Sequence, residues 1–295
     1  MDNTKKGYLY IILSYIIWGL LPIYWKQLNT LNAIYTISAR IIFSFILTIF
    51  LLIFLKKGDE LKKVIKEPKK LLLSMLAGVF VTLNWFTFIF AVNGGNTISA
   101  ALGYFINPLA VVLVGTFAFK EKLNTLSKVS LALVFTGVLL STLIYGEFPM
   151  LSLLISIWFT LYGIIKKINK IDSFVSLFIE TLTLLPVAIG VMIYFESKGQ
   201  GAFTSGDTQL IMYTVLTGIV TLVPLIFYGL GVTMIPFNTV GFFQYINPTC
   251  MLLIAIFVYK ETITQGELIS FAFIWVALGV YIYSLIKGIR EKQKK

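Results

Sequence analysis

Histidine is absent from the 295 residues, and cysteine occurs once, at Cys250. Without histidine, the usual zinc, haem and imidazole-based catalytic sites lose their commonest ligand or base, and a lone cysteine excludes an intramolecular disulfide. No metal or cofactor is expected. Charge is also scarce: 13% of residues are Asp, Glu, Lys or Arg against 58% apolar, and mean hydropathy is +0.90. A soluble chain of this length could not hide that share in one core, so lipid must be the solvent for most of it. The net charge of +11 would suit nucleic acid or an acidic surface. The lysines, however, lie almost entirely between and beyond apolar runs, where they act as topology signals, and no nucleic-acid partner is expected. No paired aspartates, HExxH helix or Ser-His arrangement supports an intramembrane enzyme. The first apolar run follows Lys5 and Lys6 as in a signal peptide. No small-residue cleavage site follows it, and Trp18, Pro22, Tyr24 and Trp25 occupy that stretch, so it reads as an uncleaved first span.

A helix needs about 20 mostly apolar residues to cross a hydrocarbon core of about 30 Å. Runs of that kind predict an all-α integral membrane protein of ten transmembrane helices, at residues 7–25, 34–55, 71–92, 98–119, 126–144, 150–165, 174–195, 210–232, 237–259 and 267–286. With the N-terminus placed inside, the cytoplasmic segments carry 20 of the 24 basic residues, the richest being 56–70 with seven. Three basic residues fall outside and one, Arg40, lies within a span. Both termini are therefore expected to be cytoplasmic. The short turn near Met234 is assigned inside although it carries no charge.

A shift of 140 positions superposes Ile106, Asn107 and Pro108 on Ile246, Asn247 and Pro248, and Phe117, Lys120 and Glu121 on Phe257, Lys260 and Glu261. The same shift carries Ile17, Trp18 and Lys26 onto Ile157, Trp158 and Lys166, and Leu76 and Gly78 onto Leu216 and Gly218. Agreement in separated regions without a net insertion points to duplication. The expected organisation is a first five-helix repeat at 1–145, a second at 146–287 and a basic cytoplasmic tail at 288–295. Five spans per unit is an odd number, so the second unit must enter the membrane from the opposite side. Inverted repeats characterise alternating-access carriers, with substrate held near the midplane between the units. A channel or a non-transporting scaffold is the competing reading; a channel is expected to show rings of like charge or a carbonyl-filter motif, and neither is visible.

Arg40 and Glu180 are charges well inside spans and are equivalent under the shift. Each costs about 2.5 to 3.5 kcal/mol at mid-membrane and needs a partner, water or an escape route. Two readings stand: each snorkels to its own face, or the two handle substrate or protons, directly paired or water-bridged. Pro108 and Pro248 each remove a backbone donor and are expected to kink the fourth and ninth spans at equivalent depths, with Asn107 and Asn247 repairing the breaks. Tyr104, Phe105, Gln244 and Tyr245 would then form an aromatic wall with a few polar groups, against the competing reading of close helix packing at Gly103 and Gly241. Trp18, with its mate Trp158, and the pair Asn84 and Trp85 are further candidates, because an indole deep in a span has reason to point inward. Lys26 and Lys166, at span ends, read as interfacial anchors, and Lys120 with Glu121 and Lys260 with Glu261 as turn and cap residues.

Residues 103–108, GYFINP, and 241–245, GFFQY, resemble the RarD-type branch of the EamA family, in the drug/metabolite transporter superfamily. Trp18 with Gly19, Lys26, Arg40, Asn84 with Trp85, Tyr162 with Gly163, Glu180 and the stretch 271–278, FAFIWVAL, extend the resemblance over nearly the whole chain. It implies a ten-helix carrier with a central cavity in the bacterial plasma membrane, an exporter, and a family name linked to chloramphenicol sensitivity. Tyr162 joins the candidate substrate-binding residues on this ground. The expected partners are the lipid bilayer and a small neutral or zwitterionic amphipathic solute, with proton or counter-solute coupling compatible with the pattern. Oligomeric state is not read from these features.

Overall fold

The computed structural model describes residues 3–93, 97–145, 150–260 and 265–293, and among these every regular element is helical. In chain order the helices are α1 (Asn3–Trp25), α2 (Ala33–Phe54), α3 (Gly58–Ile65), α4 (Pro68–Asn93), α5 (Thr97–Phe117), α6 (Thr125–Tyr145), α7 (Met150–Asn169), α8 (Ser173–Ser197), α9 (Thr208–Met234), α10 (Phe237–Gln244), α11 (Ile246–Phe257) and α12 (Gln265–Gln293), with a 3₁₀ turn at Lys26–Leu28. Among the described residues, eight stretches are long and apolar enough to cross a membrane: Asn3–Leu28, Ala33–Phe54, Pro68–Ala91, Met150–Asn169, Ser173–Ser197, Thr208–Met234, Phe237–Phe257 and Phe271–Gly288. Shorter apolar stretches, Ile106–Phe117 in α5 and Thr125–Leu140 in α6, lie at the two remaining expected spans.

Three details depart from the sequence reading. The segment 56–70, read as a connecting loop, contains α3. Its acidic first turn, Asp59 and Glu60, and basic last turn, Lys62 and Lys63, complement the helix dipole, while Val64 and Leu61 pack with Leu52, Val175 and Ile179. The expected tail at 288–295 begins inside α12, which continues to Gln293. The ninth expected span is divided into α10 and α11 at Tyr245, and Pro248 falls in the first turn of α11, where its missing N–H costs no helical bond, whereas α5 is one helix through Pro108.

The packing is carried into itself by the 140-residue shift. Under it α1 maps to α7, α2 to α8, α4 to α9, α5 to α10 with α11, and α6 to α12. The packed pair α4 and α7 maps onto α1 and α9, α5 and α7 onto α1 and α11, and α2 and α9 onto α4 and α8, while α2 with α8, α5 with α10 and α6 with α12 map onto themselves. Local chemistry repeats too. Asn32 accepts from the Ile34 amide at the start of α2, and Asp172 from the Phe174 and Val175 amides at the start of α8, so the two N-caps stand 140 apart. Gly78 and Gly218 are both at backbone crossings: a Cβ would come within 2.6 Å of the Glu180 carbonyl oxygen and of the Phe43 carbonyl carbon respectively.

Among the described residues, four non-glycine residues have positive φ, and all are lysine: Lys56, Lys120, Lys170 and Lys260, at 53°, 55°, 48° and 57°. Each stands just past a helix end, where a glycine is usual. A left-handed L-residue costs roughly 1 to 2 kcal/mol. An ammonium beside the exposed carbonyls of a helix C-terminus recovers part of that cost.

Candidate functional site

Helices α2 and α8 are antiparallel neighbours, and α4 and α9 cross them at the glycines described above. Between these four helices lies a narrow cavity of about 20 Å³, room for roughly one water. Arg40, Trp85 and Glu180 line it together with Ser44, Thr82, Thr181 and Thr221. The Arg40 Nε donates to Thr221 Oγ1 at 2.9 Å. Its guanidinium lies 3.8 Å from the Trp85 ring centre and 4.8 Å from that of Trp25. Two indole faces thus do much of what water would do for this cation.

Glu180 does not pair with Arg40. Its Oε1 accepts from Lys166 Nζ at 2.7 Å and from Ser176 Oγ at 2.5 Å, and the ammonium also donates to Ser176 Oγ at 2.8 Å. Both side chains of the pair are 3–4% exposed. Lys166 is therefore a buried ion-pair partner and not the interfacial anchor expected from its place at a span end. The cause is local: α7 and α8 are joined by a turn at residues 170–172, which sets position 166 against position 176, with Glu180 one helical turn further on. Lys26 matches its expectation better, being exposed with its ammonium 3.8 Å from the Tyr259 ring centre. The second carboxylate oxygen, Glu180 Oε2, is buried, and the Tyr162 hydroxyl lies beside this carboxylate.

An aromatic core adjoins this pair. Tyr162 stacks on Tyr228 at 5.7 Å between ring centres, Trp18 meets Phe159, Tyr228 and Tyr15, and the Lys166 ammonium lies 5.8 Å from the Tyr162 ring. The hydroxyls of Tyr15 and Tyr228 are buried without hydrogen-bond partners among the described residues, and that of Tyr162 lies beside the Glu180 carboxylate. The amides form a separate group. Gln244 Nε2 donates to Asn107 Oδ1 at 2.6 Å, Asn107 Nδ2 to the Ser156 carbonyl at 3.3 Å, and Asn84 Nδ2 to the Ile155 carbonyl at 2.8 Å. Asn107 thus ties α5 to α7 and α10; its side-chain amide goes to a neighbouring helix rather than to a break in its own.

Of the sequence candidates, the structure brings Arg40, Trp85 and Glu180 to one cavity, and Trp18 and Tyr162 to the aromatic core behind it. Asn84, Asn107 and Gln244 serve helix contacts. Tyr104 packs edge-to-face on Phe88, Tyr245 is buried against Leu109 and Ile274, and Asn247 is buried in α11. The side chain of Phe105, and Glu261, lie outside the described residues. Glu121 is a cap, as expected, but of another helix: its carboxylate accepts from the Phe237 and Asn238 amides at 2.6 and 2.7 Å at the start of α10. Sequence reasoning missed Thr221, Ser176 and Tyr228. Ser176 was within reach, since a short turn at 170–172 places it opposite Lys166; nothing local marks Thr221 or Tyr228. Outside the spans, bonds to Glu60 and Asp172 hold the Lys57 ammonium above its usual pKa range.

A bundle of long apolar helices with buried charges at a narrow internal cavity defines the class of multi-pass membrane proteins. Residues 5–143 match the EamA-like transporter family. The chain is 38% identical over 294 residues to the uncharacterized transporter YojE of Bacillus subtilis (strain 168), covering 99% of this chain and 98% of that protein. It is 32% identical over 292 residues to protein RarD of Escherichia coli (strain K12), covering 99% of each. A crystal structure at 16% identity superposes with a TM-score of 0.70 over 95% of this chain and 97% of the other, which establishes the shared fold. The chain belongs to the EamA family, as a RarD-type member.

Proposed function

We propose that this transporter carries a small amphipathic solute, neutral or zwitterionic, by alternating access, and that it works as an exporter in the bacterial inner membrane with both termini in the cytoplasm. The ten spans act as two inverted five-helix units, 1–145 and 146–287. The observation that carries this reading is the convergence of repeat-equivalent Arg40 and Glu180 on one narrow cavity, inside a packing pattern that the same 140-residue shift reproduces. A cavity with room for one water holds no solute in this state, so transport requires α2 and α8 to part, at one end and then at the other. Two links tie those helices at opposite ends: Tyr35 donates to Glu196 at 2.5 Å, and Lys57 pairs with Asp172 at 3.0 Å.

Arg40, Trp85 and Glu180 contact the solute, with Trp18 and Tyr162 as the aromatic wall. Tyr104, Phe105, Asn84, Asn107, Gln244, Tyr245 and Asn247 form the remainder of the path that opens as the units move. Glu180 also exchanges a proton or pairs with a counter-solute through its carboxylate. The test is flux in proteoliposomes with a panel of metabolites and antibiotics selected by thermal shift, since a ligand of the native state raises apparent stability. Saturable flux that is sensitive to counter-substrate, with loss of its pH dependence in Glu180→Gln, is the expected outcome. Unchanged pH-dependent flux in that variant removes the coupling role, and currents far above carrier rates remove the carrier.

A further inference from the structure

A second, more open cavity lies away from the buried charges, at the end of the α2–α8 seam where α3 crosses it. It measures about 470 Å³ and is walled by Phe45, Ile49 and Ile53 of α2, Leu61 of α3 and Phe178 of α8. The Phe45 and Phe178 rings stack at 5.5 Å to form its inner end. It opens on the apolar flank of α2, where Phe50, Ile53 and Phe54 are 64%, 70% and 82% exposed. At the other end stands Lys56.

From Phe45 to Lys56 is about 16 Å along a helix at 1.5 Å per residue. That is half of a hydrocarbon core of about 30 Å, the depth of one leaflet. The groove therefore has the length, wall chemistry and opening of a seat for one acyl chain, with a cation at the headgroup level. The charges around its mouth are accounted for unevenly. Asp59 is met by Lys62 at 3.3 Å, and Lys57 by Glu60 and Asp172, whereas Lys56 has no carboxylate partner among the described residues.

We propose that this groove binds an anionic phospholipid of the cytoplasmic leaflet, one acyl chain lying between Phe45 and Ile53 and the phosphate on Lys56. The assignment rests on the reading that 56–70 faces the cytoplasm, and it does not require that any solute be transported. A lipid seated here wedges the α2–α8 seam at the end that Lys57 and Asp172 hold shut, and so biases that end toward parting.

The test is native mass spectrometry of the purified full chain with dioleoyl phosphatidylglycerol or dioleoyl phosphatidylcholine, alongside thermal shifts with the same lipids and with inorganic phosphate. The expected result is preferential retention of phosphatidylglycerol, reduced roughly fivefold by Lys56→Gln, the scale of one lysine at an anionic surface, and left in place by Lys69→Gln. Ile49→Trp, which fills the groove, should displace both lipids. Equal retention of the two lipids by the wild type overturns the proposal. So does an equal effect of the two lysine variants, or a thermal shift with inorganic phosphate as large as with phosphatidylglycerol.

Discussion

Positions 26 and 40 in the first half of the chain and 166 and 180 in the second are equivalent, yet they have opposite fates. In the second half, Lys166 and Glu180 close a buried ion pair at 2.7 Å with Ser176 bridging them. In the first half the acid is replaced by Arg40, and two cations cannot share such a site. Arg40 turns instead to Thr221 and to the faces of Trp25 and Trp85, and Lys26 stays exposed over Tyr259. The difference in charge between positions 40 and 180 thus gives a buried ion pair in the second half and, in the first, a cation held by one hydroxyl and two indole faces.

The largest effect is expected from breaking the satisfied half. Lys166→Met leaves Glu180 buried without its counter-ion, at a cost of about 3 to 5 kcal/mol, while Lys166→Met with Glu180→Leu should recover most of that stability. Thermal unfolding in detergent compares the two, and a double variant no better than the single one shows that packing, not charge, sets the loss. Gly78→Ala, which drives a methyl group against the Glu180 backbone, should cost about 1 to 3 kcal/mol in the same assay. Arg40→Glu remakes the first half in the image of the second. A double-mutant cycle with Lys26→Gln should then show a favourable coupling of about 0.5 to 3 kcal/mol, and zero coupling means that Lys26 cannot reach inward. The smallest effect belongs to the caps: Glu121→Gln, which weakens the cap on α10, should cost about 1 kcal/mol. A loss several times larger makes Glu121 part of a wider network.

The helices were legible because lipid imposes one simple rule, long apolar runs with charged ends. The 140-residue register was legible because the match recurs at Gly78 and Gly218 and at Asn107 and Asn247 without insertion. The structure places both glycines at helix crossings, where the absence of a side chain is required. Partners were harder to read. Arg40 and Glu180 stood out as buried charges, but Thr221 is 181 residues from Arg40 in the chain, and a threonine in an apolar span carries no mark of such a role. Lys166 was misjudged because its place at a span end implied an interfacial site, while the tight α7–α8 turn folds it inward. α3 escaped because a short helix lying outside the spans has no long apolar run to announce it.

The central claim is that Arg40 and Glu180 face one cavity reached from each side of the membrane in turn. It is tested most directly by placing a single cysteine at Thr181, which lines that cavity, in a Cys250→Ser background and applying membrane-impermeant thiol reagents from either side of oriented membranes. The account requires labelling from both sides, and a cross-link that fastens α2 to α8 near Tyr35 and Glu196 should abolish labelling from that side only. Labelling confined to one side in the uncross-linked protein, or a reagent that passes through the protein to the far side, contradicts it.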